Sequence, residues 1–547
     1  MRVVIIGGVA GGMSAAARLR RLDAKAEIIV LERSGNVSYA NCGLPYYVGG
    51  LIQNEESLLL QTPQSLHNRF RLDVRVNTEV VEINPSKKEI TAVDHGKNSQ
   101  FSLSYDKLIL SPGAAPVRPN IPGIERALSL RTVEDVKAMA QIMSTNPKSA
   151  VIIGGGFIGL ELAENLVHKR IPTVVIEATE QVMAPLDSEM VSFVHNEIRK
   201  HEVDLRLGSA VAQIKADSVV LANGDEIPAD VVVAAIGVRP ETTLAVNAGL
   251  KIGPRGGIAV DEYNLTSNPD IHAVGDATEK HDALDNSATL IPLANIANRH
   301  GRVVADHICG KKIRTVTSQA TAIVKIFDLT VATTGWNEKK TKAAGLDYVV
   351  VHSHPSHHAG YYPGAQGMSI KIIVDKRTQE ILGAQAVGRE GVDKRIDVIA
   401  TAMRGGLTAP ELADLELAYA PPYGSAKDPV NMLGYISENV LNGVTPTVQW
   451  SEVNSLVSQG WTVVDVRSKG EFDRGHIPNS INISIDEIRE RINEVPKEKI
   501  LITCQVGQRG HAATRLLREL GYNAVNLDGG YMTWSNSPAN TKVSEHV

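Results

Sequence analysis

The sequence predicts an α/β protein of several domains, and three observations predict it. A strand–glycine loop–helix–strand pattern occurs twice, the stretch beyond residue 311 alternates apolar and polar residues, and the C-terminal part carries a further α/β pattern. A length of 547 residues suits roughly three or four domains, each able to bury its own core.

Residues 3–32 run apolar strand, glycine loop, helix with Ala15, Ala16, Ala17 and Leu19, then Ile28-Ile29-Val30-Leu31 ending at Glu32. Residues 150–177 repeat the order: Val151-Ile152-Ile153, Gly154-Gly155-Gly156-Phe157-Ile158-Gly159, a helix, and Val174-Val175-Ile176 ending at Glu177. Each is a βαβ unit of about 30 residues, the size of a Rossmann-like dinucleotide-binding unit. The glycines permit a tight turn and bring backbone close to a pyrophosphate at a helix N-terminus, while the closing acid accepts hydrogen bonds from ribose hydroxyls. The second loop matches Gly-x-Gly-x-x-Gly in full; the first has Gly7 and Gly12 outside but Val9 in the middle. One such turn can occur without a ligand, whereas two, each with its acid, point to dinucleotide binding. No Arg closely follows Glu177, so a 2′-phosphate would meet repulsion and NADH is expected over NADPH.

Beyond residue 311, Ile323-Val324-Lys325-Ile326-Phe327 and Ser369-Ile370-Lys371-Ile372-Ile373-Val374 read as antiparallel strands, followed by a helix over about 391–405. Residues 443–448 read as a linker. The last unit then shows strands Val463-Val464-Asp465-Val466-Arg467 and Ile500-Leu501-Ile502-Thr503, and a helix with Ala513, Leu516, Leu517 and Leu520 on one face.

A net charge of −5 without a long basic run argues against a nucleic-acid partner. Apolar stretches fall short of the roughly 20 residues that span a bilayer, and the N-terminus reads as a buried strand rather than a signal peptide. Three cysteines make no disulfide framework, so a reducing, cytoplasmic setting is expected.

Cys42, in Ser38-Tyr39-Ala40-Asn41-Cys42-Gly43-Leu44-Pro45, follows the first nucleotide unit with no second cysteine nearby. A solitary thiol must close onto a sulfur or oxygen species that arrives from outside. Thiolate is its reactive form, and the helix start after Cys42, together with an electron-poor cofactor ring beside it, is expected to lower its pKa. Cys504 stands after a buried strand in Cys504-Gln505-Val506-Gly507-Gln508-Arg509, which runs into a helix. Successive inward N–H groups, the helix dipole and the Arg509 cation would stabilise a thiolate or persulfide there. Cys309 carries no loop motif and reads as structural. His352 and His354 share one strand face with His357 and His358 close behind, but without cysteine or carboxylate nearby in sequence no metal site is expected.

Further motifs carry a resemblance. Thr266-Ser267-Asn268-Pro269-Asp270-Ile271-His272-Ala273-Val274-Gly275-Asp276 resembles the second FAD motif of the two-dinucleotide flavoprotein disulfide reductases, and Ser111-Pro112-Gly113 and Ala235-Ile236-Gly237 resemble their domain crossings. With Cys42 the chain is similar to the single-cysteine branch, which includes NADH peroxidases, NADH oxidases and coenzyme A-disulfide reductases. Asp465-Val466-Arg467, Gly475-His476-Ile477-Pro478 and the Cys504 loop resemble a rhodanese domain, as in the coenzyme A-disulfide reductase–rhodanese fusions. Peroxidase members carry a histidine in the first glycine loop where this chain has Ala10. Gly8-Val9-Ala10-Gly11-Gly12, His358-Ala359-Gly360-Tyr361-Tyr362-Pro363-Gly364 and Tyr419-Ala420-Pro421-Pro422-Tyr423 instead resemble the coenzyme A-disulfide reductases.

The resemblance implies two Rossmann-like domains (FAD and NAD), an α+β dimerisation domain and a C-terminal rhodanese α/β domain. The boundaries expected are 1–113 and 253–310 for the FAD domain, 114–252 for the NAD(P) domain, 311–443 for dimerisation, 444–452 for a linker and 453–547 for rhodanese. Implied for FAD are Gly7, Ala10, Gly11, Gly12, Glu32 and Arg33, with Asn41, Val80, Ser111, Gly113, Ala294 and Asp276, the last on the ribitol. Implied for NAD are Gly154, Gly156, Gly159, Glu177 and Gly237. Coenzyme A would meet Ser14, Arg18, Arg21, Ser38, Asn41 and Lys427. Arg18 and Arg21 sit three apart on one helix face, fit for a phosphorylated ribose or simply a solvated basic face. A family lysine near residue 70 is replaced by Phe70, flanked by Arg69 and Arg71. Tyr361 and Tyr419 would reach the partner subunit's active site in a homodimer, or form a buried aromatic pair. The expected function is NADH-dependent reduction of coenzyme A persulfide, polysulfide or coenzyme A disulfide at Cys42, with Cys504 handling sulfane sulfur. The alternatives are an NADH oxidase or peroxidase, and a sulfurtransferase with a flavin redox-sensing module.

Overall fold

The computed structural model describes residues 1–540. It forms two compact units: Met1–Val182 with Glu202–Ser318, and Met183–His201 with the chain from Gln319 on.

In the first unit a parallel sheet runs in the order Ile271–Ala273, Lys107–Leu110, Arg2–Ile6, Glu27–Leu31, Asp73–Arg75. Its three inner strands are near-continuous Val, Ile and Leu because both faces are covered. Val3, Ile5 and Val30 pack under helix Ala10–Leu22, with Val304 of helix Ala294–Ile308 in the same core. Val4, Ile29 and Leu31 face Val80, Ile90 and Ala92 of an antiparallel sheet. A second parallel sheet, Asp204–Arg206, Thr173–Ile176, Ala150–Ile153, Val231–Ala234, carries the second glycine loop and helix Phe157–His168. In both sheets the loop leaves the C-terminal end of an inner strand that pairs on both sides, where ligands bind in such folds.

The second unit holds the antiparallel sheet Ala322–Ile326, Leu329–Gly335, Ile381–Gly388, Met368–Asp375, Tyr348–Ser353. Helix Val392–Gly405 covers it, close to the expected span. A parallel sheet follows: Thr447–Val448, Ala524–Leu527, Ile500–Thr503, Thr462–Asp465, Ile481–Asn482.

Two segments depart from the expected boundaries. Helix Ser188–Lys200 lies inside 114–252 but belongs to the second unit, because Asp187 and Glu189 at its start bind the buried Lys371. The expected linker 444–452 supplies edge strand Thr447–Val448, pairing with Asn526 and Leu527. Two residues of strand are too few to show an alternation.

Candidate functional site

A cavity of about 1000 Å³ opens in the first unit above the first glycine loop, at the upper end of small-molecule pockets. Gly7 has φ +99°, and an added Cβ would meet the Ser111 carbonyl, so only glycine turns here. Glu32 accepts from Gly8 N–H at 2.8 Å and Ser34 N–H at 2.9 Å, tying strand end to loop. The helix that begins at Ala10 has no side-chain cap, which leaves its first N–H groups for an anion. Gly7, Ala10, Gly11, Glu32, Arg33, Asn41, Val80, Ser111, Gly113, Asp276 and Ala294 all line the cavity. Gly12 stands behind it, where a Cβ would strike the Gly7 carbonyl, so its role is helix–strand packing.

Cys42 lines the same cavity, in a short turn at Asn41–Gly43. Its residue surface is exposed, yet the surrounding chain still strips enough water from the thiolate to raise the thiol pKa. Glu161 and Asp276 raise it further, and Arg131 only partly opposes them. The expected lowering by the following helix is therefore not met by the protein's own groups. That helix, Leu44–Gly49, is only six residues long, while burial first and the two carboxylates second push the thiol up.

Two residues that sequence reasoning missed shape this site. Arg131 donates to Asp276 Oδ2 at 2.6 Å and to the Ala114 carbonyl at 2.8 Å, fixing the carboxylate that closes the second FAD-like motif. Glu161, on the helix after the second loop, accepts from Tyr46 Oη at 3.2 Å. Burial pushes its carboxyl up to about 7, with Glu164 adding to the rise. An acid soon after a glycine loop was the available signal for Glu161; Arg131 had none, because its partner lies 145 residues away.

Of the residues implied for coenzyme A, Ser14, Arg21, Ser38 and Asn41 line the cavity. Arg18 does not: it points to the fully buried Asp306, 2.7 Å away, whose carboxylate needs the cation. Lys427 is exposed in the second unit. Arg69 and Phe70 both line the cavity, so a cation neighbours the position where the family lysine is missing.

In the second loop Gly154, φ +110°, would drive a Cβ to 2.5 Å from the Ala235 carbonyl, and a Cβ on Gly159 would strike the Gly154 carbonyl. Gly156 and Gly237 face open space, the cradle a nucleotide needs. Glu177 accepts from Gly155 and Thr179 N–H at 2.9 Å each, and residues 178–183 hold no cation.

In the second unit Cys504 is buried at the end of strand Ile500–Thr503. Its carbonyl accepts from Tyr531 N–H at 2.7 Å, and that of Gln505 from Met532 N–H at 2.9 Å. Arg467 Nη1 donates to Gln505 Oε1 at 2.9 Å. Arg509, the expected cation, also forks onto Glu471 at 2.6 and 2.8 Å, holding that carboxyl down at about 2. Tyr361 and Tyr419 are exposed, 77% and 48%, rather than buried, with Oη atoms 3.1 Å apart. His352 sits between Glu189 and Asp528, and His354 between Ser369 and Thr533. Asp187, Glu189 and Glu338 converge on the ammonium of Lys371.

Comparison with known proteins agrees with this geometry. Residues 1–301 match the pyridine nucleotide-disulphide oxidoreductase family, 321–429 its dimerisation domain and 449–537 the rhodanese-like domain. A coenzyme A disulfide reductase from Staphylococcus aureus (strain JH9) is 35% identical over 438 residues, 79% of this chain and 99% of that protein. The structure of reduced Bacillus anthracis CoADR-RHD is 48% identical at a TM-score of 0.96, covering 98% of each chain. A NAD-dependent persulfide reductase from A. fulgidus is 39% identical at 0.93, covering 98% of this chain and 100% of its own. The dimerisation match supports a homodimer. No helix among the described residues is long and apolar enough to cross a membrane. Glycine loops, solitary thiol and sequence matches agree: the chain belongs to the pyridine nucleotide-disulphide oxidoreductase family, with a rhodanese-like domain in the same polypeptide.

Proposed function

We propose that the chain is an FAD-dependent, NADH-using reductase of coenzyme A persulfide, polysulfide and coenzyme A disulfide, acting through Cys42, with Cys504 handling sulfane sulfur. One observation carries this reading: the solitary Cys42 lines the same cavity as the first glycine loop and Asp276, and as Ser14, Arg21 and Ser38. The names of the similar proteins support a sulfur substrate. FAD bound along the first loop would supply the two-electron relay between nucleotide and sulfur. Gly154, Gly156, Gly159, Glu177 and Gly237 would hold NADH, with the Glu177 carboxylate disfavouring a 2′-phosphate.

With coenzyme A disulfide the Cys42 thiolate forms a Cys42–coenzyme A mixed disulfide and releases coenzyme A thiolate; attack on the outer sulfur of a persulfide instead forms a Cys42 persulfide and releases the same thiolate. NADH and one proton then account for the reduction of either: a coenzyme A disulfide yields two thiols, a persulfide one thiol and hydrogen sulfide. Glu161, protonated below about 7, can hold a proton near the leaving thiolate. Arg21 and Arg69 supply cations for the phosphates of coenzyme A. Tyr361 and Tyr419, exposed and close together, would reach into the partner subunit's active site. A reducing cytoplasm suits the three free cysteines.

Ala10 in the loop argues against the peroxidase reading, because it offers no proton-transfer group beside the cavity. NADH consumption with coenzyme A persulfide or disulfide, set against oxygen and peroxide, tests the assignment. Faster turnover on oxygen or peroxide overturns it. Loss of all persulfide-dependent NADH oxidation in Cys504→Ser, with free coenzyme A persulfide supplied, would make Cys504 the primary site.

A further inference from the structure

Strand Tyr348–Ser353 lies at the edge of the antiparallel sheet, so its outward backbone groups need partners from elsewhere. Those partners come from the rhodanese-like part of the same unit. The His352 N–H donates to both Asp528 oxygens at 3.2 and 3.1 Å, and its Nδ1 lies 2.7 Å from Asp528 Oδ2. Gln449 Nε2 donates to the Val350 carbonyl and to Asp528 Oδ2, both at 3.2 Å. His352 Nε2 lies 3.2 Å from Glu189 Oε1, which in turn binds Lys371. Just past the end of the strand, His354 Nε2 lies 2.8 Å from Thr533 Oγ1.

The two histidines thus grip both ends of Asp528–Thr533, and the middle of that segment holds the sulfur loop. Tyr531 and Met532 donate their N–H groups to the carbonyls of Cys504 and Gln505. The contact is backbone-tight on both sides. A Cβ on Gly529 would come within 2.8 Å of His352 Cβ, and one on Gly530 within 2.8 Å of Gly507 N. A trans peptide points its N–H opposite to its carbonyl. Holding the carbonyls of 504 and 505 therefore also sets the direction of the N–H groups of Gln505 and Val506, the donors available to charge on the Cys504 sulfur.

We propose that His352 and His354 are positioning residues for Cys504: by clamping Asp528–Thr533 they fix the loop N–H groups, so the antiparallel sheet of the reductase sets the reactivity of the sulfur site. The inference rests on the reading of Cys504 as a sulfane-sulfur carrier.

The test uses full-length His352→Leu, His352→Gln and His354→Val with thiosulfate and cyanide as probes. Thiosulfate passes its sulfane sulfur to the Cys504 thiolate and leaves as sulfite; cyanide removes that sulfur as thiocyanate, restoring the thiolate. His352→Leu should lower kcat for transfer about 10-fold with little change in KM, and His354→Val about threefold. His352→Gln, whose amide can still donate to Asp528, should recover most of the loss. Hydrogen exchange at Tyr531 and Met532 should quicken in step, while strand Thr462–Asp465 and NADH oxidation by coenzyme A disulfide stay within twofold. Unchanged transfer or unchanged Tyr531 exchange in a folded His352→Leu protein overturns the proposal. Should that variant not fold, unchanged kcat in His354→Val overturns it equally. If wild type and Cys504→Ser transfer sulfur alike, the reading of Cys504 fails, and amide exchange alone still decides whether the histidines hold the loop.

Discussion

Cys42 and Cys504 are the same atom in opposite settings. Cys42 opens on a wide cavity beside Glu161 and Asp276, and the chain around it favours the thiol. Cys504 is buried, and its loop is gripped through backbone carbonyls, with the loop's Arg509 forked onto Glu471. A thiolate disfavoured by its own protein must draw activation from what binds beside it. On the proposed reading, a buried thiol would draw it from the N–H groups of its own loop. The first thiol lies open to ligands, whereas the second is enclosed by its own loop.

The largest expected effect separates the two sites outright. Cys42→Ser should cut NADH-dependent reduction of coenzyme A disulfide by at least ~10³-fold, measured at 340 nm, while thiosulfate–cyanide sulfur transfer stays unchanged. Retained reduction would mean that the cavity thiol is not the nucleophile.

Next in size is the buried charge cluster of the second unit. Lys371→Met strands Asp187, Glu189 and Glu338 around an apolar side chain, and should destabilise the unit by about 3–5 kcal/mol in urea titrations. A neutral result would show that those carboxylates find other partners.

Two predictions use pH. Burial opposes charge on His352, but Asp528 and Glu189 outweigh it and push the group up to about 9 from 6.5. Its folded-state pKa is the higher one, so its stabilisation is complete below about 6.5 and fades as pH rises through about 9. The Tm of the wild type should therefore fall over that window more steeply than that of His352→Gln. Equal slopes would break the link between this ion network and stability. In the first unit, Glu161→Gln removes a carboxylate that raises the Cys42 thiol, so the pH midpoint for iodoacetamide labelling of Cys42, read by mass spectrometry, should move down. A midpoint that stays put would leave burial and Asp276 as the only causes of the rise.

The smallest effect concerns the two arginines on one helix. Arg21→Ala should raise KM for coenzyme A disulfide about fivefold, the loss of one charge-assisted contact. Arg18→Ala should instead lower stability, because Asp306 stays buried with only Lys311 and Arg302, at 3.6 and 3.8 Å, left to face it. Equal KM effects would restore Arg18 to the substrate surface.

Local pattern made much of this legible from residues alone. Glycine loops ending in Glu32 and Glu177, the solitary Cys42, the Cys504 loop and the helix after residue 391 each announce themselves within a short window, because turn geometry and periodicity act between near neighbours. Arg18 misled for the same reason: helix spacing placed it beside Arg21, but a carboxylate 288 residues away claimed it.

From the residues by themselves came the α/β class, the two dinucleotide units and the identity of both thiols, since each depends on interactions a few residues long. Only the tertiary structure decided the charge around those thiols: Arg131 on Asp276, Glu161 near Cys42, Glu471 on Arg509, and the clamp from His352 to Asp528. Those pairs join residues far apart in the chain, and electrostatics depends on distance in space, which no local pattern of residues encodes.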